Sequence, residues 1–278
     1  MVDDGRDADY VLGRSQEEYD RLIEQGGLLG PATERVLRAA GVCAGMRVLD
    51  VGCGVGEVAR VVGELVGDGG EVVGVDVDEA AVRIAEQRLR HVGVRFTGVV
   101  GDLRSVDVGD AFDVACCRMV LQYQADATEA IVTMARHVKI GGVIVAHEIA
   151  PVLTGARAYP AFPLAERVNG WIAAAYAGAG GNPHVGAELG RRFAEAGLQP
   201  VAQPIVETVC ALGDSVVAAR RFRTLLASLL PTLVEREIAA ERDVDLAAFE
   251  DRFRAEARAA NSTVVLWSAL VGWWAHRV

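Results

Sequence analysis

Short apolar runs alternate with longer amphipathic stretches along most of this chain. Val48, Leu49 and Val51 form one such run, the mark of a strand covered on both faces. Asp50 interrupts the run, Gly52, Gly54 and Gly56 follow at alternate positions, and Glu57, Val58 and Ala59 open a helical pattern. The order then repeats. Residues 71–78, EVVGVDVD, predict a second strand ending in Asp76, followed by a helix over 79–90. A third strand is expected over 94–100, and a fourth over 112–120. A helix over 128–138 and the pair Gly141–Gly142 lead to a fifth strand, 143–146, which ends in His147 and Glu148. Five strand–helix alternations predict an α/β fold with a parallel, doubly wound sheet that binds ligands at the carboxyl ends of its strands.

The two ends of the chain read differently. Ser15 with Glu18 forms a capping-box pattern for a helix holding Tyr19, Leu22 and Ile23. Gly26–Gly27 is expected to end that helix, Gly30–Pro31 to turn, and a second helix to run over 33–40 until Gly41 stops it. Residues 151–185 break the alternation and hold Tyr159, Phe162, Trp171 and Tyr176, then a turn, GAGGNPH, over 178–184. Such a segment suits an apolar lid over a flat ligand, or a helix packed on the sheet edge. A sixth strand is expected over 199–210, and two or three arginine-rich helices over 214–260 with Pro231 as a break. A seventh strand closes the chain over 261–278, its tryptophans reading as core.

The chain has 278 residues, enough for one α/β domain with a sizeable addition. No run approaches the roughly 18 apolar residues of a membrane span, and the acidic start lacks a secretory pattern. The net charge of −10 argues against nucleic acid as a partner, since phosphate binding needs clustered cations. The arginine pairs at 191–192 and 220–221 read as solvated helix faces. Of the five cysteines, none is paired as CxxC or spaced with histidine for zinc; Cys116 and Cys117 read as small core residues. That usage fits a reducing cytoplasm, where the protein is expected.

Closely spaced glycines between a buried strand and a helix let a ligand lie against the backbone. A dinucleotide fingerprint would need a third glycine at position 57, which is Glu57, and no phosphate-loop lysine is present. Carboxylates at Asp50 and Glu57 suit a cationic, zwitterionic ligand instead. The stretch RVLDVGCGVGEVAR, 47–60, resembles the first motif of the Rossmann-like (class I) S-adenosylmethionine-dependent methyltransferases, of the bacterial small-molecule or natural-product type. EVVGVDVD, GDL at 101–103, the 112–123 segment and GNPHVGAELGRRFAEAGL continue the resemblance in order.

The resemblance implies a seven-stranded, mostly parallel sheet with an N-terminal helical cover and helical insertions after strands five and six. It divides the chain into a cover over 1–40, an S-adenosylmethionine-binding core over 41–150, a substrate lid over 151–185, and the remaining core with its insertion over 186–278, all one catalytic domain. It implies cofactor binding by Asp50, Gly52, Gly54, Gly56, Asp76, Val77, Asp102 and Leu103. Asp76 would hold the ribose hydroxyls, Asp102 the adenine amino group, and Leu103 would pack on the ring. Tyr10 and Arg14 would reach the cofactor's carboxylate. Arg118 reads either as a cofactor or substrate contact or as a structural ion-pair partner. The Asn-Pro-Pro-Tyr type of motif is absent after strand four, which again points away from nucleic acids.

The expected reaction is methyl transfer to a small aromatic or heteroaromatic acceptor, such as an indole-type alkaloid, in specialised metabolism. A quinone or sterol-like lipid acceptor stays open, as does a non-catalytic nucleotide-binding protein or an NAD-dependent oxidoreductase. His184 is expected to be the general base, oriented by Glu34 and helped by Tyr19, with His147 in reserve. No set of carboxylates is placed for a metal. A homodimer is possible, since a covering helix can serve its own subunit or a neighbour's.

Overall fold

The computed structural model describes residues 12–109, 111–155, 157–177 and 181–278. Its chain begins with α1, Gln16–Ala39, and then alternates: β1 Arg47–Val51, α2 Glu57–Val66, β2 Glu71–Asp76, α3 Glu79–His91, β3 Phe96–Val100, β4 Phe112–Arg118, α4 Ala127–His137 and β5 Val138–Ile149. The second half runs β6 Ala158–Tyr159, α5 Pro163–Ala177, α6 Val185–Glu195, β7 Gln199–Pro200, β8 Ile205–Leu212, α7 Val216–Glu235, α8 Glu241–Val244, α9 Phe249–Ala259 and β9 Thr263–His276. Among the described residues nine strands form one sheet, ordered β3-β2-β1-β4-β5-β9-β6, with β7 and β8 also on β9. The five strands from β3 to β5 are parallel and β9 runs antiparallel to all its neighbours. The expected seven strands are all present. The count reaches nine because the sixth is split around 201–204 and β6 is an added two-residue pairing.

The strand order reverses between β1 and β4, so their carboxyl ends diverge and leave a crevice. Val48, Val114 and Val145 pack under α1 and α2 on one face of the sheet. Leu49, Ala115 and Ile144 pack on the other face, in the cluster that holds Val185, Leu189 and Phe193 of α6. Helices α5, α7 and α9 build a separate core around Phe162, Phe222, Phe249 and Phe253, with Phe162 edge-on to Phe253 at 5.1 Å. This helical cap stands over the crevice.

The expected break at Gly26–Gly27 does not occur. α1 is one helix of 24 residues with Pro31 inside it. Gly26 is a crossing point: a Cβ there would lie 1.9 Å from Glu57 Oε2, so a larger residue would have to displace the buried Glu57 side chain where α1 passes over the start of α2. Close packing between helices outweighs the helix-weakening effect of glycine here. Ser15 does cap α1 through the Glu18 N–H, but the Glu18 carboxylate turns inward to Arg21 instead of returning to the cap. Pro231 likewise lies within α7 and does not break it. Among the described residues no helix is long and apolar enough to cross a membrane.

Candidate active site

Backbone geometry at the crevice follows from the glycine turn. Gly52, Gly54 and Gly56 all have positive φ, at 68°, 50° and 84°. A Cβ on Gly52 would press to 2.3 Å from Val120, whereas a Cβ on Gly54 would meet nothing within 4 Å, because Gly54 borders a cavity. That cavity measures about 880 Å³, within the usual range for small-molecule sites.

One end of the cavity is acidic. Asp76 closes β2 and accepts from the backbone N–H of Gly54 at 2.8 Å and of Asp78 at 2.9 Å, so the glycine turn is tied to the second strand. Burial pushes the Asp76 carboxyl up, while those two N–H groups hold it down. Val77 is 56% exposed and lines the cavity, a flat apolar surface just past the acid. Asp102 and Leu103 line the same end; Asp102 is paired with Arg104, which lowers its pKa. Tyr19, on the first turns of α1, donates its hydroxyl to Asp78 at 2.9 Å. Arg14 approaches the same carboxylate at 3.8 Å. Tyr10 lies outside the described residues.

Beneath this end sits Asp50, completely buried, with neither carboxylate oxygen hydrogen-bonded. Burial pushes it up to about 7, against the pull of Arg118. Arg118 ends β4, donates to Thr33 Oγ1 at 2.9 Å and lines the cavity. Arg118 thus borders the cavity and its charge acts on the buried Asp50, without a direct ion pair between them. Glu57 is likewise buried and bonded to Arg88.

Several expected partners separate. Glu34 lies on the outer side of α1, paired with Arg38 at 2.8 Å, and does not line the cavity. It cannot orient His184. Tyr19 belongs to the acidic end through Asp78, not to a base at the other end. His147 is buried beside Thr33 and does not line the cavity, so it has no contact with an acceptor held there; burial and then the Arg118 charge push it down to about 3. Glu148 is buried too, and its Oε1 accepts from the N–H groups of Val120 and Leu121 at 2.8 Å each, holding the loop after β4. His184 caps α6 and is the one histidine lining the cavity among the described residues. It is exposed at the rim.

The expected aromatic lid is mostly framework. Tyr159 is exposed and Phe162 belongs to the cap core, while Tyr176 lines the cavity. Part of the segment, residues 156 and 178–180, lies outside the described residues.

Beyond Tyr176 and His184, sequence reasoning missed the other end of the cavity. Glu18 and Arg21 form a buried two-pronged ion pair with both N–O distances 2.6 Å, and Arg21 also donates to Gln25 at 2.6 Å. Ser228 from α7 donates to Glu18 at 2.9 Å. Arg221 stacks 3.6 Å from the Trp267 ring centre and faces the cavity with Phe222 and Leu225. The Arg pair at 220–221 is thus not one solvated face: Arg220 is exposed and paired with Glu24, and Arg221 points in. The pair at 191–192 does match its expectation, both side chains being held by Glu188 and Glu195. Among the described residues no group of three His, Cys, Asp or Glu could hold a metal.

Comparisons with known proteins agree with this geometry. Residues 43–171 match the family model described as "Methyltransferase domain". The ubiquinone/menaquinone biosynthesis C-methyltransferase UbiE of Cupriavidus necator is 26% identical over 157 residues, 54% of this chain and 65% of that enzyme's length. YcgJ from Bacillus subtilis shares the fold, with a TM-score of 0.55 at 19% identity over 88% of this chain and 98% of that one. So does the geranyl diphosphate C-methyltransferase of Streptomyces coelicolor A3(2), solved with Mg²⁺, geranyl diphosphate and S-adenosyl-L-homocysteine, with a TM-score of 0.51 at 17% identity over 89% and 77% of the two chains. Residues 43–171 thus match a methyltransferase domain, and the fold around them is shared with a solved methyltransferase.

Proposed function

We propose that this protein transfers a methyl group from S-adenosylmethionine to a small, largely apolar acceptor, aromatic or heteroaromatic, in specialised metabolism. The observation that carries this reading is the single cavity with two unlike ends. The residues present suit the cofactor: Gly54 leaves room for a ligand against the backbone, Asp76 keeps lone pairs for ribose hydroxyls, and the orphaned Asp50 carboxyl beneath, raised to about 7, would supply negative charge on losing its proton beside a cationic ligand. S-adenosylmethionine, when bound, supplies a methyl group already activated on a sulfonium. The protein's task is then mainly to align a nucleophile and exclude water. Val77 and Leu103 would sandwich a flat base, and Tyr19 would close α1 over the ribose side through Asp78.

Acceptor placement falls to the other end. Met119, Tyr176, Phe222, Leu225 and Trp267 give an apolar chamber suited to a flat molecule. His184, at the rim, would take the proton released from a hydroxyl, ring nitrogen or electron-rich carbon. The aromatic and apolar lining supports an indole-type acceptor as one choice within this class. A quinone or related lipid is the second reading, favoured by the likeness to the ubiquinone/menaquinone enzymes.

The test is label transfer from methyl-labelled S-adenosylmethionine to phenols, indoles, quinols and polar controls, read by mass spectrometry. Transfer to a phenol or indole supports the first reading, and transfer to quinols alone supports the second. Stabilisation by NAD but not by S-adenosylhomocysteine in a thermal-shift assay would sink both.

A further inference from the structure

Among the described residues Arg221 has no ion pair of its own at the acceptor end of the cavity. Its Nε and Nη1 are enclosed and make no hydrogen bond. The nearest acid that could serve it, Glu18, is already gripped by both prongs of Arg21 and by Ser228. Burial, and then the Arg21 charge, push the Arg221 guanidinium down to about 9. An enclosed guanidinium with unused donors is costly unless something pairs with it. The ring of Trp267 holds its plane at 3.6 Å, which fixes the orientation of the fork. Tyr176, whose side chain feels the Arg221 charge, lines the same space.

The distribution of acids around the cavity sharpens the point. Among the described residues Glu57, Asp76, Asp78 and Asp102 lie toward the glycine turn, and Glu18 is the acid at the other end. Arg157 lines the cavity as well, with Ser268 as its bonded partner. With Glu18 neutralised by Arg21, this end carries surplus positive charge in an apolar wall.

We propose that Arg221 is a specificity residue that receives an anionic group of the acceptor, a carboxylate or a phosphate carried on an apolar body. Both groups present paired oxygens that a guanidinium fork can grip with two bonds. This rests on the methyltransferase reading for what the bound molecule undergoes, but not for its binding. The anionic group anchors the acceptor by the Trp267 wall and leaves its apolar part free to reach toward the glycine turn.

The experiment uses the full chain saturated with S-adenosylhomocysteine, wild type and R221M. Titration calorimetry compares indole-3-propionate, decanoate and geranyl phosphate with indole-3-propionamide, decanamide and geraniol. At least one anion should bind about 10- to 100-fold tighter than its neutral counterpart. In R221M that ratio should fall to about one, and R221K should keep part of it. Carboxylate and phosphate members separate the two sources. The R221M variant should also melt at the same temperature or some 2–4 °C higher without ligand, because an enclosed unpaired charge is gone.

Three results would overturn the proposal: no anion outbinding its neutral partner, the ratio surviving in R221M, or a marked fall in R221M melting temperature. Loss of S-adenosylhomocysteine affinity in R221M would instead assign the arginine to the cofactor's own carboxylate, which also overturns it. Failure of the wild type to bind S-adenosylhomocysteine at all would strike the methyltransferase reading, and the anion preference, measured without it, would still stand or fall alone.

Discussion

At the glycine-turn end of the cavity, carboxylates from strand ends and short loops surround open backbone, and nearly every group comes from residues 50–104. At the opposite end, arginines and aromatics from α1, α5, α7 and β9 converge from positions as far apart as 21 and 267. The first end is local in sequence and the second is assembled by the cap. α1 joins them, with Tyr19 bonded at the acidic end and Arg21 and Gln25 turned to the other. A ligand with a cationic centre and a ligand with an anionic group could thus be held in one cavity by opposite walls. Selectivity for cofactor and for acceptor can then be altered separately.

Substitutions that separate the two ends would test that division. The largest effect is expected for H184A, which should lower kcat by about 10²–10⁴-fold if the imidazole is the base, with S-adenosylhomocysteine affinity unchanged by calorimetry. D50N addresses the acidic end through pH. Burial raises Asp50 from its ordinary 3.8 to about 7, so the folded protein holds the proton more tightly than the unfolded chain. Its contribution to stability is therefore full below about pH 4 and is lost as pH rises through 7. D50N should gain on the wild type over that window by on the order of a few kcal/mol, read from urea unfolding of the cofactor-free protein at pH 4.5 and 7.5. His147 works the other way in both proteins, since its depressed pKa makes stability fall as pH drops below about 6.5.

D76A should reverse the H184A pattern, weakening S-adenosylhomocysteine by about 10- to 100-fold while sparing the acceptor chamber. G26A probes the joint between the ends. Its new Cβ would meet Glu57, so either that side chain or α1 must give way, with a loss of about 1–3 kcal/mol in stability and, where α1 moves, weaker cofactor binding from the displaced Tyr19. Chemical denaturation with and without S-adenosylhomocysteine reads both. The smallest effect is expected for R220A. Its exposed pair with Glu24 should be worth under about 1 kcal/mol, and equal effects of R220A and R221M on ligand binding would erase the distinction between the two arginines.

Local pattern was enough for the sheet and for the acidic end. Alternation of strand and helix predicts the parallel order, and Gly52, Gly54, Gly56, Asp76 and Asp102 occur where a strand must end and a ligand must approach. Those features depend on neighbours within a few residues, which is why they are legible in the chain. α1 was misread for the opposite reason. Gly26 and Pro31 are helix breakers by local propensity, and only the passage over Glu57 shows why one of them is needed inside a helix. The pairing of Glu34 with His184 failed because helical phase alone does not say which side of α1 faces the cavity.

Arg221 shows the limit most clearly. Beside Arg220 in the sequence it looks like half of a solvated pair, yet a helix turns adjacent residues about 100° apart and the cap sends one to solvent and the other inward. The sequence by itself determined the alternation of strand and helix, the glycine cradle and the carboxylate that ends the second strand, because each is written in contiguous residues. The tertiary structure alone decided which arginine lies enclosed, which histidine borders the cavity and which aromatic lines it. Those outcomes depend on how separate elements pack, a relation that no single stretch of chain contains.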